Sequence, residues 1–173
     1  MRINNDKNSM NHLEVFFDYA CPYCLMGHED LIKLLRDRPQ IEVVWRPCES
    51  HPRPERHGMH SDLCIQGMFF AADNGVELWA YHERAYALIL KRQVNVENPD
   101  ILAECFSDLL DAHALREALQ SGKYQKTQQE ANDYAYDSSG VWAVPAYRMG
   151  GKRLDAIEGV GVAAARLRAF LDG

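Results

Sequence analysis

The sequence predicts an α/β fold in which a strand–helix–strand unit opens the chain, a block of helices interrupts it, and a strand–strand–helix unit closes it. Three observations carry this. β-forming apolar runs occur only near the two ends, at Leu13–Phe17, Ile41–Pro47 and the stretch before Met149. Residues 61–138 carry helical spacing and no convincing strand. Gly150-Gly151, set between two short extended stretches, has the tolerance for positive φ that a two-residue hairpin demands.

The first element, Leu13 to Phe17, is rich in residues that fit a pleated, buried surface. Asp18-Tyr19-Ala20 ends it, and Cys21 stands at the mouth of a helical pattern. Pro22 suits the first helical position, where its missing N–H costs nothing and its φ is already right. Leu25, Leu31, Ile32, Leu34 and Leu35 recur at roughly helical spacing, and Pro39 bounds the helix. Ile41 to Pro47 is the second strand, expected parallel to the first and beside it. His51-Pro52-Arg53-Pro54 is loop, and His51, His57 and His60 read as loop histidines, since their spacing fits no familiar ligand set.

In the helical block, Leu63 to Phe70 forms one helix ended by Asp73-Asn74-Gly75. Leu78, Tyr81, His82, Ala85, Leu88 and Ile89 mark the buried face of a second, over Glu77 to Lys91, on which His82 reads as a core histidine. Asn98 caps a third with Pro99 at its first position, and Asp111 opens a fourth that ends before Ser121-Gly122. Tyr124 to Tyr136 is polar enough to read as mostly exposed. Val144-Pro145 opens the late strand, Lys152 to Ile157 returns after the hairpin, and Gly159 to Leu171 closes the chain as a helix that offers Val160, Val162, Ala163, Leu167 and Phe170 for burial. The organisation that follows is a disordered tail over 1–12, a core over 13–60 and 139–173, and a helical insertion over 61–138.

Composition narrows the function. A formal net charge of -6 with no Lys/Arg run argues against nucleic acid as a partner. No apolar stretch reaches the roughly 20 residues of a membrane span. The polar opening, Met1 to Met10, lacks the apolar region of a secretion signal, so a cytoplasmic location is expected. Cys48, Cys64 and Cys105 lack a near cysteine neighbour and read as small buried apolar residues.

Cys21 and Cys24 are different. At a helix N-terminus, free backbone N–H groups and the macrodipole favour the thiolate of Cys21, the nucleophilic form. Cys24 follows one turn later, placed to attack a mixed disulfide at Cys21 and release a substrate. A half zinc site is the competing reading, but no second Cys-X-X-Cys and no His-X-X-X-His follows at finger spacing. A metal held by Cys21, Cys24 and His28 needs His28 turned inward, and His28 reads as a surface residue; no metal is expected.

Cys21-Pro22-Tyr23-Cys24 after a first strand, with Val144-Pro145 at a later one, resembles the thioredoxin superfamily. The helical insertion resembles its DsbA-like branch, and Trp45 to Glu49 with Gly140-Val141 resembles the cytosolic FrnE type. The resemblance, which spans Leu13 to Leu171, implies a thioredoxin-like fold and thiol–disulfide oxidoreductase activity. It also implies a cis Val144–Pro145 bond. Cys21 and Cys24 would do the chemistry, while Pro22, Tyr23, Val144 and Pro145 would meet the substrate. Disulfide- or thiol-containing proteins or small molecules would be the partners. No bound cofactor is implied, with glutathione or a thioredoxin-type protein as electron partner. The alternative is a glutathione-dependent isomerase or transferase of the same architecture, in which Trp79, Tyr81 and Trp142 would line a cleft; those relatives carry serine where Cys21 stands. Thioredoxins and DsbA proteins hold a buried acid six residues before the nucleophile. Val15 occupies that position, which leaves a water, another group or Asp18 to move the proton of Cys24, with Asp18 equally suited to capping the helix entrance.

Overall fold

The computed structural model describes residues 10–173, so most of the expected tail, residues 1–9, lies outside the described residues. His12, counted with that tail, belongs to the sheet instead, and the Asn11 carbonyl before it accepts from Glu42 N–H at 2.7 Å. β1 spans His12–Phe17, with His12 in register with Glu42 and its ring nitrogen Nε2 2.7 Å from that carboxylate. α1 (Pro22–Leu35) then crosses over to β2 (Glu42–Pro47), which lies parallel to β1. β3 (Ala146–Met149) pairs antiparallel with β1, and β4 (Lys152–Asp155) antiparallel with β3, to give the order β2-β1-β3-β4. Gly150 and Gly151 turn the hairpin, both with positive φ. The sheet is the βαβ…ββα arrangement expected.

β1 is central and buried on both faces, which is why it reads as a continuous apolar run. Leu13, Val15 and Phe17 join one large core with Leu31 and Leu34 of α1. Phe16 points the other way, into a smaller cluster with Cys48, Ala135, Val141 and Ala146. The inward face of α1 is Cys24, Gly27, His28, Leu31 and Leu34. Ile32, expected inward, is exposed, and His28, expected outward, is buried. The reason is angular: positions four and seven residues beyond Cys24 share its face, and Cys24 is turned to the sheet.

Between β2 and β3 come α2 (Asp62–Asp73), α3 (Leu78–Tyr86), α4 (Pro99–Cys105), α5 (Ala112–Gln120) and α6 (Gln125–Asp133). Asn98 and Asp111 cap α4 and α5 as their sequence suggests, each side-chain oxygen accepting from backbone N–H groups of the first turn. π-helical turns extend α3 over Ala87–Lys91 and α6 over Tyr134–Ser138. The core is shared: Ile65, Tyr81, Leu88 and Leu115 of this block pack in the same cluster as β1.

Two late elements differ from expectation. The return strand stops at Asp155 rather than Ile157, and α7 (Ala164–Asp172) begins five residues after Gly159. Gly159 and Gly161, both at positive φ, make a turn closed by hydrogen bonds between Ile157 and Gly161, and this leaves Ile157, Val160 and Ala163 exposed.

α6 is mostly exposed, as its polarity suggests, but two of its polar side chains, Gln128 and Asn132, are buried. Glu49, just beyond β2, is buried, and its carboxylate accepts from Asn132 Nδ2 at 2.8 Å and from Gln128 Nε2. Asn132 Oδ1 accepts from the Glu49 backbone N–H at 2.9 Å, and the Tyr136 hydroxyl donates to the Glu49 carbonyl at 2.6 Å. Gln66 of α2 donates to Gln128 at 2.9 Å and ties the network into the helical block. A polar helix face was needed to receive a buried acid. Asn132→Ala should therefore lower stability by about 2–3 kcal/mol, because it orphans both a backbone donor and part of a carboxylate; urea unfolding measures the loss.

Candidate active site

The site begins where β1 ends. Asp18 is only 3% exposed, and its carboxylate is fully engaged in joining loops. Oδ1 accepts from Ala20 N at 2.9 Å and from Ser61 Oγ at 2.6 Å, and Oδ2 accepts from Ser50 N at 2.7 Å. Of the two roles open to Asp18 in the sequence, the structure shows loop capping. The Asp18 carbonyl accepts from Cys21 N–H at 3.1 Å, and the Asp18 N–H points at Cys24 Sγ from 3.5 Å.

Cys21 is the N-cap of α1, in extended conformation, and half-buried; Cys24 is buried beneath it. Burial is what separates the pair chemically. The Cys24 thiol donates to Cys21 and holds its pKa below the ordinary thiol value, helped by the backbone N–H groups of Cys24 and Tyr23 against burial and the Asp18 charge. Cys24 itself is pushed well above the ordinary value, first by burial and then by the same hydrogen bond. The half-buried Cys21 sulfur thus ionises the more readily, while the buried Cys24 sulfur keeps its proton.

Val144 and Pro145 reach the same place from the other end of the chain. The Val144–Pro145 bond is cis, and the Val144 carbonyl lies 3.8 Å from Cys21 Sγ. Pro145 is buried against α1, and Gly27 makes that approach feasible. A Cβ there would come within 2.7 Å of the Tyr147 hydroxyl and 3.2 Å of Pro145 Cγ. Gly27 escaped notice in the sequence, where a lone glycine inside a helical pattern was the available signal. Pro22 is exposed beside Cys21. Tyr23 is partly committed elsewhere: its hydroxyl donates to Gly159 O at 2.8 Å, and its ring lies against Gly161.

Behind Cys24 lies an aromatic cluster. His28, Trp45, Trp79, His82 and Tyr86 pack with ring centroids 4.3–6.1 Å apart, Trp45 and His82 being the tightest pair. Tyr81 stacks on Phe106 in the core, and Trp142 stands 84% exposed. The three aromatics imagined along one cleft are therefore dispersed. Burial lowers the pKa of His28 from the ordinary 6.5 to about 4, and lowers that of His82 well below it. Cys48 and Cys64 are buried, with thiols held up by desolvation, whereas Cys105 is half-buried. Of the loop histidines, His51 and His57 stack at 3.8 Å, and His60 bonds Glu97 and the Glu55 carbonyl. Among the described residues no group of three or more His, Cys, Asp or Glu side chains is arranged to hold a metal, and no helix is long and apolar enough to cross a membrane.

A four-stranded sheet, a dithiol at the mouth of its crossover helix and a facing cis-proline loop define a thioredoxin-fold protein. Residues 12–172 match the family described as DSBA-like thioredoxin domain, and the chain belongs to that family. The uncharacterized protein YwbO of Bacillus subtilis (strain 168) is 25% identical over 177 aligned positions, covering 80% of this chain and 86% of the relative. Among solved structures, Pseudomonas aeruginosa DsbA superposes with a TM-score of 0.69 at 17% identity, over 97% of this chain and 83% of its own. A 2-hydroxychromene-2-carboxylate isomerase superposes with a TM-score of 0.66 at 13% identity, over 83% of this chain and 88% of its own. Family membership supports thiol–disulfide oxidoreductase chemistry in general terms.

Two measurements check these electrostatics. In the reduced protein, alkylation of Cys21 by iodoacetamide should titrate below the about 8.5 of a free thiol, with Cys24 unreactive over the same range, as read by peptide mass analysis. Folded His28 binds its proton more weakly than unfolded His28, so acidification through the interval between the two values favours unfolding. Stability should fall by about 3 kcal/mol from this group as the pH drops from 6.5 to about 4, and His28→Phe should remove that part of the slope.

Proposed function

We propose that the protein is a dithiol–disulfide oxidoreductase in which Cys21 is the nucleophile and Cys24 the resolving thiol. The observation that carries this reading is the split between the two sulfurs: one half-buried at a helix N-terminus with its thiolate favoured, the other buried and protonated directly beneath it. Attack by the Cys21 thiolate on a substrate disulfide forms a mixed disulfide and releases one substrate thiolate. Cys24 then displaces the second substrate sulfur and leaves a Cys21–Cys24 disulfide, so that two electrons pass to the substrate. Run backwards, the same steps oxidise a substrate dithiol.

The substrate backbone docks along Val144 and Pro145, with Pro22 on the opposite rim of Cys21. Disulfide- or thiol-containing proteins or small molecules are the substrate class, with glutathione or a thioredoxin-type protein regenerating the dithiol. The alternative reading, a glutathione-dependent isomerase, draws on the fold shared with the isomerase above; the presence of a resolving cysteine beneath Cys21 favours redox exchange over it.

Cys21→Ser should abolish turnover of a disulfide substrate, and Cys24→Ser should accumulate mixed disulfides visible by mass under non-reducing conditions. Residual reduction by the Cys21→Ser protein would overturn the assignment. Tight glutathione binding in calorimetry, together with full small-molecule isomerisation by Cys24→Ser, would favour the alternative.

A further inference from the structure

The sheet has two edges, and the chain treats them differently. β4, at one edge, is four residues long and carries Lys152, Arg153 and Asp155. Short length and charge are common means of keeping an edge from pairing with another chain. β2, at the other edge, is six residues long, and its middle, Val43-Val44-Trp45, holds no charge, glycine or proline.

Two hydrogen bonds fix which backbone groups of β2 look outward. Glu42 N–H donates to the Asn11 carbonyl at 2.7 Å, and Cys48 N–H donates to the Phe17 carbonyl at 2.8 Å. In a parallel ladder alternate residues bond the neighbouring strand, so Glu42, Val44 and Arg46 face β1. The N–H and C=O groups of Val43 and Trp45 therefore face away from the sheet, and among the described residues no backbone group meets them. Alongside runs a groove of about 580 Å³ whose apolar lining includes Ile41, Val43, Trp45, Val76, Leu78 and Trp79. Unpaired main-chain groups beside an apolar groove are what an added strand uses.

We propose that this edge pairs with the same edge of a second copy of the chain, antiparallel about a two-fold axis at Val44. The charges select both occupant and register. Centring on Val44 sets Glu42 opposite Arg46 of the second copy, and the symmetry repeats that ion pair on the other side of the axis. Val43 then faces Trp45 of the second copy, and the two residues with outward groups exchange both of their N–H···O bonds. A one-residue shift would set outward groups against inward ones. A two-residue shift either way loses the ion pairs, and one such shift sets Val43 against Pro47, which has no N–H to give.

The side chains are placed for this. Glu42 is exposed, and half-buried Arg46 is bonded to Glu14 through Nε and Nη2. A guanidinium has further donors for a second carboxylate. An extended segment of another protein would find the same groove, but the chain's own strand carries the matching charges at the matching spacing. The two four-stranded sheets would become one. Because β1 runs parallel to β2, the two dithiols would lie at opposite ends of that sheet, each working alone. The inference does not depend on the redox reading.

Sedimentation equilibrium of the whole reduced protein, loaded from about 1 to 100 µM, should show a reversible monomer–dimer equilibrium. Glu42→Lys, which sets like charges across the axis, should raise the dissociation constant by about tenfold or more. Val43→Pro removes an outward donor and leaves the β1 ladder intact, so it should be monomeric throughout, with parent-like alkylation of Cys21 showing that it is folded. If the proline protein fails to fold, Glu42→Lys carries the test. Val44→Cys in a Cys21→Ser, Cys24→Ser background should cross-link to a dimer under mild oxidation, because facing residues at such a position have Cα atoms about 4.5 Å apart. A parent that is monomeric across the whole range would overturn the second copy as occupant, in favour of an extended segment of another protein. A dimer undiminished in folded Val43→Pro would overturn the edge as the interface. A dimer undiminished by Glu42→Lys, or left unlinked by Val44→Cys, would overturn the register.

Discussion

The Asp18 carboxylate is the constraint on which the site depends. It sits where β1 gives way to α1, and its three donors come from Ala20, from Ser50 after β2 and from Ser61 before α2. One buried acid thus pins together the entrance to the crossover helix, the exit of the neighbouring strand and the start of the helical block. Its main chain touches both cysteines, accepting from Cys21 N–H and donating toward Cys24 Sγ. Hydrogen bonds to charged acceptors are worth about 1.5–3 kcal/mol each, and removing the acceptor would leave several buried donors unmet. The backbone of the residue that joins these loops thus also holds the helix end that carries both sulfurs.

Around that node the chain buries polar groups in an orderly way. Glu49 is received by Gln128, Asn132 and Gln66, so α6 and α2 close over the end of β2 through matched donors and acceptors. Tyr19 receives His82. Such networks stabilise only when each member finds a partner, and they then specify one packing of helices over sheet more sharply than apolar contact can. The Nε2 atoms of His28 and His82, buried without a hydrogen-bond partner, stand out against this background.

Much of this was legible beforehand, because the signals are local. β1, α1, β2, the hairpin glycines and the Asn98 and Asp111 caps all follow from short-range rules of propensity, capping and turn geometry. Cys21 and Cys24 were legible for the same reason, since their spacing and the proline between them place both on the first turn of a helix. The last strand and helix were drawn too long because Gly159 and Gly161 form a turn whose closing bonds run between Ile157 and Gly161. Polarity read correctly as exposure over most of α6, but it misled at His28, which an aromatic cluster buries, and it gave no sign that a distant acid buries Gln128 and Asn132.

By itself, the sequence determined the order of elements and the helix-terminal dithiol, because backbone preference and residue spacing act over a few positions; the proline that faces the dithiol was implied only by the family resemblance. Only the tertiary structure decided which thiol is buried, that Asp18 caps the loops at the helix entrance, that Gly27 lets Pro145 approach α1, and that His28 and His82 meet behind Cys24. Those facts depend on contacts between residues far apart in the chain, as Gly27 and Pro145 are. The physical reason is desolvation: the chemistry of a thiol or an imidazole is set by what surrounds it, and the chain chooses those surroundings only when it packs.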